Sequence, residues 1–211
     1  MEHTDRVERP VVNRSSLRTL ALMFGALVTP ITLPAQQMRV ALEPSQTQIE
    51  FTLGAVMHTV HGTFRLTSNS LQINPATHEA TGELVVDAAS GDSGNQARDH
   101  KMTKDILEAQ RFPEIAFIAR KVDGKLAATG TSQLKLIGVF RVHGQEHPLT
   151  LPVNVDAHGS TFTASTQFVV PYQQWGMKNP STLFLRVSDK VNIEIKTQGQ
   201  LLTIAAATSS K

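Results

Sequence analysis

The sequence predicts an all-β fold, a sandwich or an up-and-down barrel of about eight strands, with one helix near residues 95–110. Apolar and polar residues alternate along most of the chain, which is typical of strands with one buried and one exposed face. Turn-forming pairs such as Asn74-Pro75 and Asp123-Gly124 separate the alternating segments. A hydrophobic content of 40% and a charged content of 18% suit one globular domain at a length of 211 residues.

The first 35 residues are predicted to be a secretory signal peptide. Arg14 and Arg18 precede an uncharged apolar stretch, residues 20–34, which is shorter than the roughly 20 residues that a membrane-spanning helix needs. We expect cleavage after Ala35, with an uncleaved anchor as the alternative. Cleavage would leave a single domain, residues 36–211, that has no stable membrane span and is periplasmic or secreted in a bacterium.

The predicted strands fall into two groups. Strict alternation predicts strands at 49–53, 149–155, 162–170 and 191–195. Weaker alternation predicts strands at 63–73, 81–88, 114–122 and 126–142. Pro152 lies inside one of the strict segments, which indicates an edge strand or a bulge at that point, because proline donates no backbone hydrogen bond.

One segment departs from the strand pattern and predicts the helix. Residues 95–110 are rich in helix-forming residues, and their apolar side chains recur at helical spacing. Asp92, Ser93 or Asn95 could cap the beginning of this helix. Pro113 ends it, because the residue before a proline avoids helical geometry. We expect the helix to lie across an open end of the barrel.

Charge and cysteine content exclude several classes of function. The chain has 20 basic and 18 acidic residues, a net charge of +2, which argues against a broad nucleic-acid-binding surface. It has no cysteine, so disulfides, thiolate zinc sites, iron–sulfur clusters and cysteine nucleophiles are excluded. The charge balance thus predicts no nucleic-acid partner. Because no phosphate-binding glycine loop or HExxH pattern occurs, and no cluster of Asp, Glu or Cys accompanies the histidines, we also predict no cofactor and no metal.

Two patterns nevertheless suggest catalytic alternatives. Residues 91–94 read GDSG, as in the nucleophile loop of chymotrypsin-like proteases, but no matching histidine motif precedes them, so a turn and helix cap is the preferred interpretation. His58 with His61, and His143 with His147, form two spaced pairs whose imidazoles suit zinc or copper. A metal-dependent hydrolase that uses these four histidines is therefore an alternative function.

Polar residues at the start of the helix and the single tryptophan have two interpretations each. Asn95, Arg98 and Asp99 could form a polar site or attach the helix to the barrel. Trp175 could stack on a ligand or anchor its loop.

Six motifs occur in a fixed order over residues 42–200. They are IEFTLGAVMHTVHGTF (49–64), LQINPATHEATGELVVDAAS (71–90), SGNQARD (93–99), RFPEIAF (111–117), LKLIGVFRVHGQEHPLTLPV (134–153) and VSDKVNIEI (187–195). Together they resemble the YceI-like family, exported bacterial proteins related in shape to lipocalins. This chain departs from the family pattern at Lys101, where a histidine is usual, and at Phe112, where a tyrosine is usual.

The resemblance implies an eight-stranded antiparallel lipocalin-like barrel whose apolar lumen holds a long isoprenoid or similar lipid. Eight strands enclose enough room for one slender ligand. Each buried methylene contributes about 0.8 kcal/mol, whereas association costs on the order of 4–15 kcal/mol, so a ligand with about twenty methylenes is retained and a short one is not. We therefore expect a protein that binds and carries or stores a long-chain lipid or isoprenoid, and not an enzyme.

Alternation along the strands and the resemblance together suggest which residues contact this ligand. The predicted lumen residues are Phe51, Leu53, Phe64, Phe117, Leu136, Leu151, Val153, Phe162, Phe168 and Trp175. The predicted contacts to a polar head group are His61, Asn95, Arg98, Asp99 and Lys101. A structural barrel filled by its own side chains, which binds nothing, remains a second alternative, and a homodimer is left open.

Overall fold

The computed structural model describes residues 36–56, 58–182 and 186–205. The predicted signal peptide, residues 1–35, lies outside the described residues. None of the helices within the described part of the chain is long and apolar enough to span a membrane.

Within the described residues, twelve strands form one antiparallel sheet. The strands are β1 (Gln36–Leu42), β2 (Gln48–Ala55), β3 (His58–Phe64), β4 (Leu66–Asn69), β5 (Gln72–Ile73), β6 (Ala80–Thr81), β7 (Glu83–Asp87), β8 (Glu114–Asp123), β9 (Thr129–Val142), β10 (Gln145–His158), β11 (Thr161–Val170) and β12 (Val187–Ala205). The predicted all-β antiparallel fold is confirmed. The predicted number of eight strands is approximate, because the predicted strands at 63–73 and 81–88 are divided and because β1 and most of β3 lie outside the predicted strands.

The pairing of the strands runs in a circuit. Strand β12 pairs with β2, and β2 pairs with β3. The chain then continues from β3 into β4, with only Arg65 between them. Strand β4 pairs with β7, and the pairing returns to β12 through β8, β9, β10 and β11. Strand β12 is 19 residues long and pairs with both β2 and β1, which a short 3₁₀ turn (Pro44–Gln46) separates. The sheet therefore curls so that one face of each strand is enclosed.

Tight turns set the register of the long hairpins. His143 and Gly144 join β9 to β10 with φ angles of 51° and 72°, the left-handed geometry that a two-residue hairpin turn requires. In β8 a bulge between Ala119 and Lys121 shifts the pairing, so that Val122 faces Leu136 on the enclosed side.

The predicted helix is present, and its second half is a π-helical turn. Helix α1 (Gln96–Lys101) continues into π-helical residues Met102–Ile106. Asn95 is the cap, because its side-chain oxygen accepts a hydrogen bond from the backbone N–H of Arg98 at 3.0 Å.

Fourteen of the buried apolar residues form two clusters on the enclosed face. The main cluster consists of Val40, Leu71, Ala80, Phe117, Ala119, Val122, Leu136, Leu151, Val155 and Phe162. The cap cluster consists of Val142, Val170, Tyr172 and Met177. Ile106 and Leu107, at the end of the helical segment, pack against the cap cluster together with Trp175 from the loop after β11. The helix and this loop therefore close one end of the barrel, the capped end.

Candidate functional site

The opposite end of the barrel opens into a cavity of about 690 Å³, which we call the mouth. It lies where β8 turns into β9, where β10 turns into β11, and where β1 pairs with β5. Its apolar wall consists of Met38, Ile73, Val122, Leu126, Leu134 and Leu201.

Local structure explains why these side chains meet. The β8 bulge turns Val122 inward, and the pairing of Met38 with Ile73 brings β5 to the edge of the mouth. Gly124 has a φ of 112° and begins the loop that contains Leu126. The backbone N–H of Ala127 donates to the Ser132 hydroxyl at 2.9 Å and holds this loop against β9.

The wall of the mouth continues into the interior of the barrel. Val122 belongs to the main cluster, and Ile73, Leu126, Leu134 and Leu201 pack against it. An apolar chain that enters the mouth would therefore meet apolar side chains along its path. The arrangement suits burial of a hydrocarbon chain, which gains about 25 cal/mol per Å² of apolar surface removed from water.

A second cavity of about 820 Å³ has a different character. Its lining includes Ser45, Gln46, Gln48, Asn154 and Lys196, which are all exposed and polar. This polar groove offers an alkyl chain much less apolar contact than the mouth does. Phe64 is the predicted lumen residue that contributes to it.

Eight of the ten predicted lumen residues belong to the two apolar clusters or pack against them. Phe117, Leu136, Leu151 and Phe162 are members of the main cluster, and Val153 and Phe168 pack against it. Leu53 and Trp175 pack against the cap cluster, as Phe168 also does. Phe51 and Phe64 contact each other, with ring centroids 5.4 Å apart.

The predicted head-group residues lie elsewhere. Arg98 donates from Nε to the Ser93 hydroxyl at 2.7 Å and from Nη2 to the Ser93 carbonyl at 2.8 Å, while Asp99 accepts from the Ser93 N–H at 3.0 Å and from its hydroxyl. Lys101 forms an exposed ion pair with Asp105 at 3.4 Å. Asn95 caps the helix, as described above, so Asn95, Arg98 and Asp99 join the helix to the preceding loop. His61, exposed on β3, contacts the Thr52 hydroxyl at 3.2 Å.

The four histidines of the hydrolase alternative have separate surroundings. His143 lies 3.4 Å from Glu108 and packs against Phe112. His147 stacks on Trp175, whereas His58 and His61 are exposed. Among the described residues, no three or more His, Cys, Asp or Glu side chains are grouped so that they could hold a metal ion.

Burial changes the acid–base behaviour of two aromatic side chains at the capped end. It lowers the pKa of His147, because the charged ring loses hydration. It also raises the pKa of Tyr172 to about 12, and the Asp189 carboxylate contributes to this shift. The Tyr172 hydroxyl donates to the Ser188 carbonyl at 2.6 Å, which fixes the loop after β11 to the start of β12.

The sequence analysis missed the residues of the mouth. Met38 and Ile73 lie on strands that alternation did not define well, and Val122 points inward only because of the bulge. Leu126 could have been identified from the sequence, since it is an apolar residue two positions after the Asp123-Gly124 turn.

Comparison with known proteins adds a family match and several similar folds. The model of the YceI-like domain matches residues 41–199. BcnA of Burkholderia cenocepacia aligns with a TM-score of 0.62 and 17% identity, over 74% of this chain and 98% of that protein. A polyisoprenoid-binding domain from Saccharophagus degradans aligns with a TM-score of 0.59 and 14% identity, over 81% and 100% of the two chains.

A YceI protein of Campylobacter jejuni aligns with a TM-score of 0.55 and 20% identity, over 68% of this chain and 86% of that one. No curated protein sequence matches the chain. At these identities the structural similarities establish the fold.

Proposed function

Because this chain belongs to the YceI-like domain family, as its motifs predicted, we propose that it binds a long apolar ligand, an isoprenoid or another lipid, inside its barrel. The observation that carries the proposal is the continuity between the mouth and the main cluster, which Val122 joins directly. The polyisoprenoid-binding domain of Saccharophagus degradans, which shares the fold, supports the same class of ligand.

The size of the ligand follows from its energetics. Roughly twenty buried methylenes contribute about 16 kcal/mol, which exceeds the 4–15 kcal/mol cost of association. A chain of about five methylenes would gain only about 4 kcal/mol and would dissociate readily. The retained ligand is therefore a long chain rather than a small aromatic compound.

The protein carries or stores this ligand without catalysis, outside the cytoplasm, in the periplasm or secreted. The predicted signal peptide supports this location, and carriage through water is the physical task that an enclosed apolar site performs. The lipid is then the partner, and neither a cofactor nor a nucleic acid takes part.

A series of straight-chain alcohols tests the proposal. Residues 36–211 are purified without detergent, and each alcohol displaces the fluorescent probe N-phenyl-1-naphthylamine. Affinity should rise about fourfold for each added methylene until the interior is filled. An affinity that is independent of chain length, or no displacement by any alcohol, would contradict lipid binding.

A further inference from the structure

The mouth combines an apolar wall with a cationic rim. Lys125 and His78 are the basic side chains that line it, and no described Asp or Glu residue does so. The nearest acidic residues in sequence, Glu79 and Asp123, are exposed and lie outside the lining. Glu79 already accepts a hydrogen bond from the Thr77 hydroxyl at 3.1 Å.

Lys125 is held at this rim by its neighbours in the chain. On one side, Gly124 lies so close to β9 that a Cβ there would stand 3.0 Å from the Leu134 side chain. On the other side, Leu126 packs against the main cluster. The backbone of Lys125 is therefore fixed at the boundary between the apolar wall and water. Its ammonium group has no ion-pair partner among the residues that the structure describes.

His78 also lines the mouth and is fixed beside the end of β8 by backbone hydrogen bonds. Its N–H donates to the Asn74 carbonyl at 2.8 Å, and its carbonyl accepts from the N–H of Val122 at 2.9 Å. The first bond closes the turn after β5, and the second ties this turn to Val122 in the wall of the mouth. The imidazole and the ammonium group thus provide hydrogen-bond donors at the edge of one apolar cavity.

We propose that the mouth binds the anionic head group of the lipid, a carboxylate or a phosphate, between Lys125 and His78, with the hydrocarbon chain directed into the barrel. This inference rests on the proposed function and adds the chemical class and orientation of the ligand. A charge-assisted hydrogen bond to Lys125 neutralises the head group, while the water-facing rim spares it full desolvation. The ligand then enters and leaves through the mouth and not through the capped end.

A pair of matched probes tests the inference. Parinaric acid and its methyl ester share one fluorescent chain and differ in the charge of the head group. The wild-type protein should bind the acid more tightly than the ester. Lys125→Gln should weaken binding of the acid about two- to fivefold, the range for a solvent-exposed ion pair, and leave the ester unchanged. Lys125→Glu should weaken binding of the acid further.

The control is Lys135→Gln, because Lys135 is also exposed and lies on β9 outside the mouth. It should bind both probes as the wild type does. If Lys125→Gln left the ratio of the affinities for the acid and the ester unchanged, the proposal of an anionic head group at the mouth would be refuted. The proposal of lipid binding would not be affected by that result. If neither probe bound to any variant, the proposed function itself would fail.

Inorganic phosphate separates a lipid head group from a free anion. At equal ionic strength, phosphate should displace parinaric acid no better than sodium chloride does. Displacement of the acid by phosphate alone, with the ester retained, would identify a site for free anions and overturn the lipid assignment.

Discussion

His147 and Trp175 stack face to face at the capped end, with ring centroids 4.1 Å apart and an angle of 5° between their planes. The Nε2 atom of His147 is buried, and within the described residues it has no hydrogen-bond partner. Burial therefore favours the neutral imidazole, and the pKa of His147 is lowered from its ordinary value of 6.5. The pair connects the start of β10 to the loop that closes the barrel.

This relationship predicts a dependence of stability on pH. Because the pKa of His147 is lower in the folded protein than in the unfolded chain, the unfolded chain binds a proton first as the pH falls. The contribution of His147 to the free energy of unfolding is therefore fully present above pH 6.5. It is lost as the pH falls from 6.5 through the lower pKa of the folded state. His147→Phe keeps the stacking on Trp175 but cannot titrate, so it should remove this part of the pH dependence of the free energy of unfolding.

Urea unfolding at several pH values measures this effect. Trp175 is the only tryptophan, so its fluorescence follows unfolding of the domain that contains the pair. A wild-type protein and a His147→Phe variant with the same pH dependence below 6.5 would contradict this assignment.

A second prediction concerns the close approach of Phe51 to Gly62 on the neighbouring strand. A Cβ on Gly62 would collide with the Phe51 ring and with the Asp92 carbonyl. Gly62→Ala should therefore lower the free energy of unfolding by about 1–3 kcal/mol. Gly54→Ala is the matched control on the same hairpin, because its Cβ would meet only the Ser188 Cβ, at 3.9 Å. Urea unfolding should show little change for the control, and equal effects of the two variants would refute the packing argument.

A third prediction tests the mouth as the route into the barrel. Leu134 is half-buried on its wall, so Leu134→Trp should fill the mouth and reduce the affinity for long alcohols by at least about tenfold. Gln133→Trp places the same ring on the exposed face of β9 and should bind normally. Displacement of the naphthylamine probe measures both variants. Unchanged affinity in a folded Leu134→Trp variant would show that the ligand avoids the mouth.

A fourth prediction concerns the polar residues at the start of the helix. Asp99→Ala removes the acceptor of two hydrogen bonds from Ser93 and should destabilise the protein by about 1–3 kcal/mol. Lys101→Ala breaks an exposed ion pair and should change stability by less than about 1 kcal/mol. Thermal unfolding distinguishes the two variants. Lys101→Ala should bind lipid as the wild type does, and poor binding by a variant of normal stability would instead support Lys101 as the contact with the head group and contradict its placement at the mouth.

Local sequence patterns were sufficient to predict the central parts of the long strands β8 to β12 and to limit the cap of the helix to three candidates. Alternation identified β10 and β11 because each side chain position is either enclosed or exposed along a regular strand. Asn95 was one of three predicted caps, and it precedes the helix by the spacing at which a cap side chain accepts from the N–H of the third helical residue, Arg98. The six ordered motifs predicted the family that the match over residues 41–199 confirms.

The mouth could not be predicted, because it depends on features that have no local signature. The bulge in β8 reverses the direction of side chains after Ala119, so strict alternation assigns Val122 to the wrong face. Met38 and Ile73 meet through a two-residue pairing between strands that are distant along the chain. The contact of His147 with Trp175 likewise requires the loop after β11 to fold back over β10.

Native mass spectrometry of residues 36–211, exported in a bacterium and purified without detergent, tests lipid binding most directly. We predict a population whose mass exceeds that of the polypeptide by one long-chain lipid, which solvent extraction releases and which carries an acidic head group. The Leu134→Trp variant should lose this added mass. A bare polypeptide mass, with no lipid in the extract, would contradict lipid binding and favour a barrel filled by its own side chains.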